Sequence, residues 1–145
     1  MEKLENLYRQ IIMEHYKNPK NKGLVDHPAY IKHHIKNPTC GDDITIQTHV
    51  QNNRVIDIRH EGSGCSICCS SASVLSVLLK DKPVEEARAF VDNYLRMLMD
   101  KPLDPSIDLE DAWAYQGVRK FPARIKCASI AWKAFDETLK KGGSS

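Results

Sequence analysis

A chain of 145 residues and 16.5 kDa, 41% hydrophobic and 28% charged, fits one domain over residues 1–145 that buries roughly 68% of its unfolded surface. Its net charge of +2, from 21 Lys+Arg against 19 Asp+Glu, excludes disorder over most of the chain. The same balance argues against a dedicated nucleic-acid binder, which carries a basic stripe and a pI above about 9. No uncharged apolar run approaches the roughly 18 residues of a membrane span, and Met1–Glu5 carries acids where an exported chain has an apolar segment, so a cytoplasmic protein is expected.

The opening residues place Leu4, Leu7, Tyr8, Ile11, Ile12 and His15 at helical spacing, an amphipathic core helix ended by the turn chemistry of Asn18–Gly23. A strand is expected around Tyr30–Ile35, followed by a turn cluster over Asn37–Asp42. Ile44, Ile46, Thr48 and Val50 alternate with polar residues, the period of a half-buried strand. Gln51-Asn52-Asn53 reverses the chain into a second alternating run from Arg54 to Arg59, which together read as a hairpin. Gly62–Cys65 is expected as a flexible turn leading into a small-residue helix with Val74, Leu75, Leu78 and Leu79 on its apolar stripe. Pro83 opens another helix whose face carries Val84, Ala87, Val91, Tyr94, Leu95 and Leu98. Asp108–Asp111 caps a short helix through Ala114 that Gly117 ends. The last helix follows Pro122, with Ile125, Ala128, Trp132, Phe135 and Leu139 on one face and a frayed tail over 141–145. A leading helix, a small antiparallel sheet and a run of helices make an α+β fold.

Five cysteines need a reason. The odd count speaks against a disulfide framework, which leaves metal binding, thiol chemistry or inert burial. Cys40 and Asp42 flank Gly41, which lets a thiolate and a carboxylate converge. Cys65 sits where a Gly-rich turn enters a helix, a position whose unpaired N–H groups favour a negative sulfur. Cys127 lies on the last helix. Three thiolates and one oxygen satisfy tetrahedral zinc, and sulfur-rich sets also suit iron–sulfur clusters. Spacing alone does not decide, because 24 residues lie between Cys40 and Cys65 and 61 between Cys65 and Cys127.

Asn37-Pro-Thr-Cys-Gly-Asp42, Gly62-Ser-Gly-Cys-Ser-Ile67 with Ser71-Ala-Ser73, Lys120-Phe-Pro-Ala-Arg-Ile-Lys-Cys127 and the Leu7-Tyr8…His15-Tyr16-Lys17-Asn18-Pro19 opening resemble the IscU-like iron–sulfur assembly proteins. The SufU branch is the closer match. Scaffolds of the IscU branch have a His before the last Cys where this chain has Lys126, and the segment from Pro83 to Asp108 matches a SufU insertion. The resemblance implies an IscU-like fold and Zn²⁺ held by Cys40, Asp42, Cys65 and Cys127. It also implies that Cys40 accepts persulfide sulfur from a SufS-type cysteine desulfurase, activates that enzyme and passes sulfur to a downstream iron–sulfur scaffold complex. In the scheme implied for that branch, a His of the desulfurase takes over a metal position and frees the acceptor cysteine.

Two other functions compete. A [2Fe–2S] scaffold uses the same ligands, and a zinc-stabilised interaction module uses the metal without thiol chemistry. Cys65-Ser66-Ile67-Cys68 also has the C-x-x-C pattern of thiol–disulfide oxidoreductases, but no aromatic precedes it and no βαβ pattern surrounds it. Cys68 and Cys69 read as helix packing residues, either of which could compete for metal or pair with Cys65. The histidines read as structural or solvated, His33 and His34 pointing to opposite faces of a strand. Arg119, Lys120, Arg124 and Lys126 form a basic helix entrance, where Arg124 and Lys126 neighbour Cys127 and are candidates to stabilise thiolate or persulfide charge. No nucleic-acid or membrane partner is expected, and the free chain is expected to be a monomer.

Overall fold

The computed structural model describes residues 2–38 and 41–142. Its elements are α1 (Glu2–Lys17), β1 (Tyr30–Asn37), β2 (Asp42–Gln51), β3 (Arg54–Ser63), α2 (Ser66–Leu78), α3 (Val84–Leu98), a 3₁₀ segment (Glu110–Lys120) and α4 (Pro122–Lys141). The three strands form one antiparallel sheet in the order β1-β2-β3. This is the expected α+β architecture.

Asn52 and Asn53 both take positive φ, +54° and +60°, so the hairpin closes through the two-residue turn whose twist matches the strands. Alternation along β2 sends Asp42, Ile44, Ile46 and Thr48 into the core, where the hydroxyl of Thr138 on α4 donates to that of Thr48 at 2.8 Å. Helix α4 lies across β1 and β2, and α2, α3 and the 3₁₀ segment pack against it. The buried apolar residues form one contiguous cluster. At its centre Tyr94 stacks on Trp132 with ring centroids 3.8 Å apart, and Phe90 stacks on the same indole at 5.8 Å. Each such pair adds about 0.5–1.5 kcal/mol beyond the area it buries.

The outer edge of β3 is covered at both ends, which denies it to a foreign strand. Asp81–Pro83 pairs with Arg54 and Val55, and Asn21–Gly23 pairs with His60. The strap carrying Asn21 is fixed by a polar seam between α1, α2 and β3. Ser73 Oγ accepts the Lys20 N–H at 2.8 Å and lies 2.7 Å from His15 Nδ1, while the Lys20 carbonyl accepts from His60 Nε2 at 2.7 Å.

Four expectations are corrected. Leu4 and Leu7 are about half exposed, at 48% and 51%, and the α1 stripe that reads as a core face is only partly buried at Tyr8, Ile11 and Ile12. Its neighbours are α2 and the 3₁₀ segment, which cover the second half of the helix stripe better than the first. Gly62 and Ser63 belong to β3, paired with Ile44 and Asp43, and the flexible turn shrinks to Gly64. The helix expected to stop at Gly117 continues as 3₁₀ turns to Lys120, because Tyr115 and Val118 are buried and hold it to the core. Lys141 is helical rather than frayed: the Gly142 N–H closes on the Thr138 carbonyl at 2.9 Å and Lys141 Nζ donates to the Lys32 carbonyl at 3.2 Å.

Burial lowers the pKa of both His15 and His60 below the usual histidine value of about 6.5, so both are neutral in the seam at neutral pH. The unfolded chain therefore binds protons first as pH falls. Their contribution to stability is complete above about pH 6.5 and is lost as pH drops towards their folded values. Urea midpoints are expected to fall between about pH 7.5 and 5.5, and less steeply for His60→Gln; a variant slope equal to the wild-type slope would exclude His60 from the effect.

Candidate metal centre

Three elements end at one point. Asp42 is the first residue of β2, Cys65 is the N-cap of α2, and Cys127 lies in the second turn of α4. One carboxylate oxygen and the two sulfurs all lie within 4.8 Å of one another. Asp42 and Cys127 are fully buried and Cys65 is half-buried, so the group opens outward on the Cys65 side.

Local chemistry places each donor. Gly41 takes φ +71°, a conformation that costs an L side chain about 1 kcal/mol or more, and so turns the chain into β2 with Asp42 facing inward. The Cys65 N–H donates to Asp42 Oδ1 at 3.0 Å, which ties the start of β2 to the start of α2. That approach needs Gly64: a Cβ there would sit 2.3 Å from Asp42 Oδ1, and the backbone φ is +151°. Pro122 at the start of α4 presets the first turn, and Phe121 precedes it in an extended conformation.

A tetrahedral zinc ion with Zn–S bonds of about 2.3 Å separates its ligands by about 3.8 Å. The observed spread within 4.8 Å therefore closes onto one ion with side-chain shifts of about 1 Å or less. Two sulfurs and a carboxylate oxygen are also the ligand types that zinc accepts. The three described residues fit. Cys40, expected as the fourth ligand and sulfur acceptor, lies outside the described residues.

The remaining candidates sit around this group. Arg124 and Lys126 are exposed on the first turns of α4, flanking Ile125 and Cys127. Arg119 pairs with Asp100 at 3.2 Å. Cys68 is fully buried in the core, whereas Cys69 is half-buried with its Sγ 3.8 Å from the Gly64 carbonyl oxygen. His15 and His60 serve the polar seam, and His34 contacts Asp43 at 2.6 Å, so the metal reading gains no histidine ligand among the described residues. Sequence reasoning missed the supports behind the ligand helices. Tyr94 OH donates to the Ala128 carbonyl at 2.8 Å, one residue past Cys127, and Ser70 of α2 bonds Tyr115 OH at 2.7 Å. Tyr94 does stand on the expected apolar face of α3, but periodicity says nothing of where its hydroxyl ends.

The family model described as the NifU-like N terminal domain matches residues 7–128. The chain is 45% identical over 138 residues to the zinc-dependent sulfurtransferase SufU of Bacillus subtilis, covering 95% of this chain and 92% of that protein. It is 32% identical to the iron–sulfur cluster assembly scaffold protein IscU of Streptococcus pyogenes, over 100% of this chain and 90% of the other. A solved structure assigned to the SUF system as an iron–sulfur cluster assembly scaffold, from Fervidobacterium islandicum, superposes with a TM-score of 0.81 at 27% identity, covering 90% of this chain and 94% of that one. The fold, the converging Asp42–Cys65–Cys127 group and these matches agree: the chain belongs to the NifU-like N-terminal domain family, with relatives of both the SufU and the IscU type.

Proposed function

We propose that this chain is a zinc-dependent sulfurtransferase of iron–sulfur cluster assembly, which takes persulfide sulfur from a SufS-type cysteine desulfurase on Cys40 and raises that enzyme's turnover. The observation that carries the reading is the convergence of Asp42, Cys65 and Cys127 within 4.8 Å. The 45% identity with a zinc-dependent sulfurtransferase supports it over the scaffold reading, whose relative is 32% identical. Asp42, Cys65 and Cys127 would hold the ion with Cys40 as fourth ligand, and bound zinc keeps sulfur ligands deprotonated near neutral pH.

The transfer itself is thiol–disulfide chemistry. The Cys40 thiolate attacks the outer sulfur of the donor's persulfide; a sulfur–sulfur bond forms at Cys40 as the donor's breaks, and the donor cysteine leaves as a thiolate. No net oxidation occurs. Gly41, at φ +71°, is the joint between Cys40 and the fixed start of β2, so the acceptor is attached to the site by its most permissive residue. The exposed cations Arg124 and Lys126 favour approach of an anionic persulfide and of an acidic partner surface. Pyridoxal phosphate chemistry stays with the desulfurase. A cytoplasmic setting, where thiols remain reduced, suits an acceptor of this kind, and the sulfur then passes to an iron–sulfur scaffold. No helix among the described residues is long and apolar enough to cross a membrane.

Metal analysis and a turnover assay test the proposal together. The purified protein is expected to be colourless with stoichiometric zinc, and to stimulate cysteine-dependent sulfide release by the desulfurase. Cys40→Ala is expected to abolish the stimulation, and Cys127→Ser to lose the zinc as well; a brown protein containing iron and sulfide would favour the scaffold reading instead. Gly64→Ala drives a Cβ against Asp42, so zinc affinity is expected to fall about 10–100-fold, as when an outer support of a metal site is lost. Unchanged affinity in a competition titration with a chromogenic chelator would remove Gly64 from the account.

A further inference from the structure

Cys69 has no part in the metal centre, yet it lies one helical turn behind a residue that does. Its backbone N–H bonds the Cys65 carbonyl at 3.1 Å, so the two cysteines are helical neighbours on one face. Its Sγ contacts the Gly64 carbonyl, and its side chain lines a cavity of about 240 Å³ with Tyr16, Lys22, His60 and Gly64. A small oxidant can therefore reach the entrance of α2 beside Gly64 and Cys69. Cys68, also a helical neighbour of Cys65 at i+3, is instead fully buried in the core near the rings of Tyr94 and Tyr115, away from that cavity's lining.

Helical neighbours at this spacing have Cβ atoms about 5–6 Å apart, and a disulfide needs about 3.5–4.5 Å. The missing 1–2 Å can come from Cys65, because it is the N-cap and not a residue inside the helix. Its backbone is extended, at φ −73° and ψ 166°, and Gly64 precedes it at φ +151°. Cys69 stands one turn inside α2, so it is placed to follow Cys65, at the open helix end, as the second sulfur to react.

Resting on the metal-centre reading above, we propose that Cys69 is the resolving thiol of Cys65, so that a hydroperoxide converts a metal ligand reversibly into a Cys65–Cys69 disulfide. The Cys65 thiolate attacks one peroxide oxygen, the O–O bond breaks, and a sulfenic acid forms as hydroxide leaves and is protonated to water. The Cys69 sulfur then attacks Cys65 Sγ; the S–O bond breaks and the departing hydroxide takes the Cys69 proton as a second water. Two thiols are oxidised and one hydrogen peroxide is reduced. The centre loses one sulfur ligand and releases its ion, and an external dithiol restores both.

The test treats the zinc-loaded protein with hydrogen peroxide, reads released zinc with a chromogenic chelator, then alkylates, digests with trypsin and weighs the peptides. Cys65 and Cys69 share the tryptic peptide 60–80, which contains no internal Lys or Arg. Wild type is expected to release zinc, to give that peptide with an internal disulfide and one alkyl group where the untreated protein gives three, and to rebind zinc after dithiothreitol. C68S is expected to behave the same. C69S is expected to release zinc but to carry over-oxidised Cys65 and fail to rebind the ion. Full recovery of zinc binding by C69S, or a disulfide that joins peptide 60–80 to the peptide of Cys127, overturns the proposal. The zinc content before peroxide tests the metal centre by itself, and the mass of peptide 60–80 in C68S, where Cys65 and Cys69 are its remaining cysteines, tests the thiol pair by itself.

Discussion

One hydrogen bond organises the site. The Cys65 N–H donates to Asp42 Oδ1 across 3.0 Å, joining the first residue of β2 to the N-cap of α2. A hydrogen bond to a carboxylate contributes about 1.5–3 kcal/mol and is directional, so it fixes how the carboxylate faces as well as where it sits. Gly64 makes the approach possible, since any side chain there would occupy the space of the carboxylate oxygen. With those two elements joined, Cys127 needs only α4 to be held at the right height. The stacked Tyr94 and Trp132 and the bond from Tyr94 to the Ala128 carbonyl supply that support from the core.

The division of labour between rigid and mobile parts follows from this. Asp42 and Cys127 are buried on regular elements, where they would act as fixed donors to a metal. Cys65 stands at a helix end after Gly64, half-open to solvent, where its donor atom would be the outermost of the three. A sulfur carrier needs both properties: a centre firm enough to hold a metal and a rim loose enough to exchange a bond. The exposed first half of α1, with Leu4 and Leu7 uncovered, shows that the molecule does not spend its packing evenly. Helix α4, by contrast, buries Cys127 together with Ala128, Trp132, Phe135 and Leu139.

Much of this was legible in the chain. The Asn52-Asn53 reversal, the alternation of β2 and the stripe from Ile125 to Leu139 each follow from a local period or turn preference, and each formed as expected. The settings of Asp42 and Cys65 beside glycines, and for Cys127 the motif resemblance, pointed to the three residues that the structure brings within 4.8 Å of one another. What local pattern could not carry was partnership at a distance. Leu4 and Leu7 have the spacing of a core face, but whether a neighbour reaches them is a tertiary fact. Gly62 reads as a turn residue until Ile44 is found beside it in the ladder. The seam of His15, Ser73, Lys20 and His60 joins residues from three regions that share no motif. Cys69 read as packing, and only its contact with Gly64 and the adjoining cavity distinguish it from Cys68.

Whether donors from β2, α2 and α4 share one ion can be read by X-ray absorption at the zinc edge of the metal-loaded protein. Shared ligation predicts a coordination shell dominated by sulfur at about 2.3 Å with one lighter scatterer at about 2.0 Å, the latter lost as a carboxylate oxygen in Asp42→Ala. A shell of nitrogen and oxygen alone, or of four sulfurs unaltered by Asp42→Ala, would contradict it.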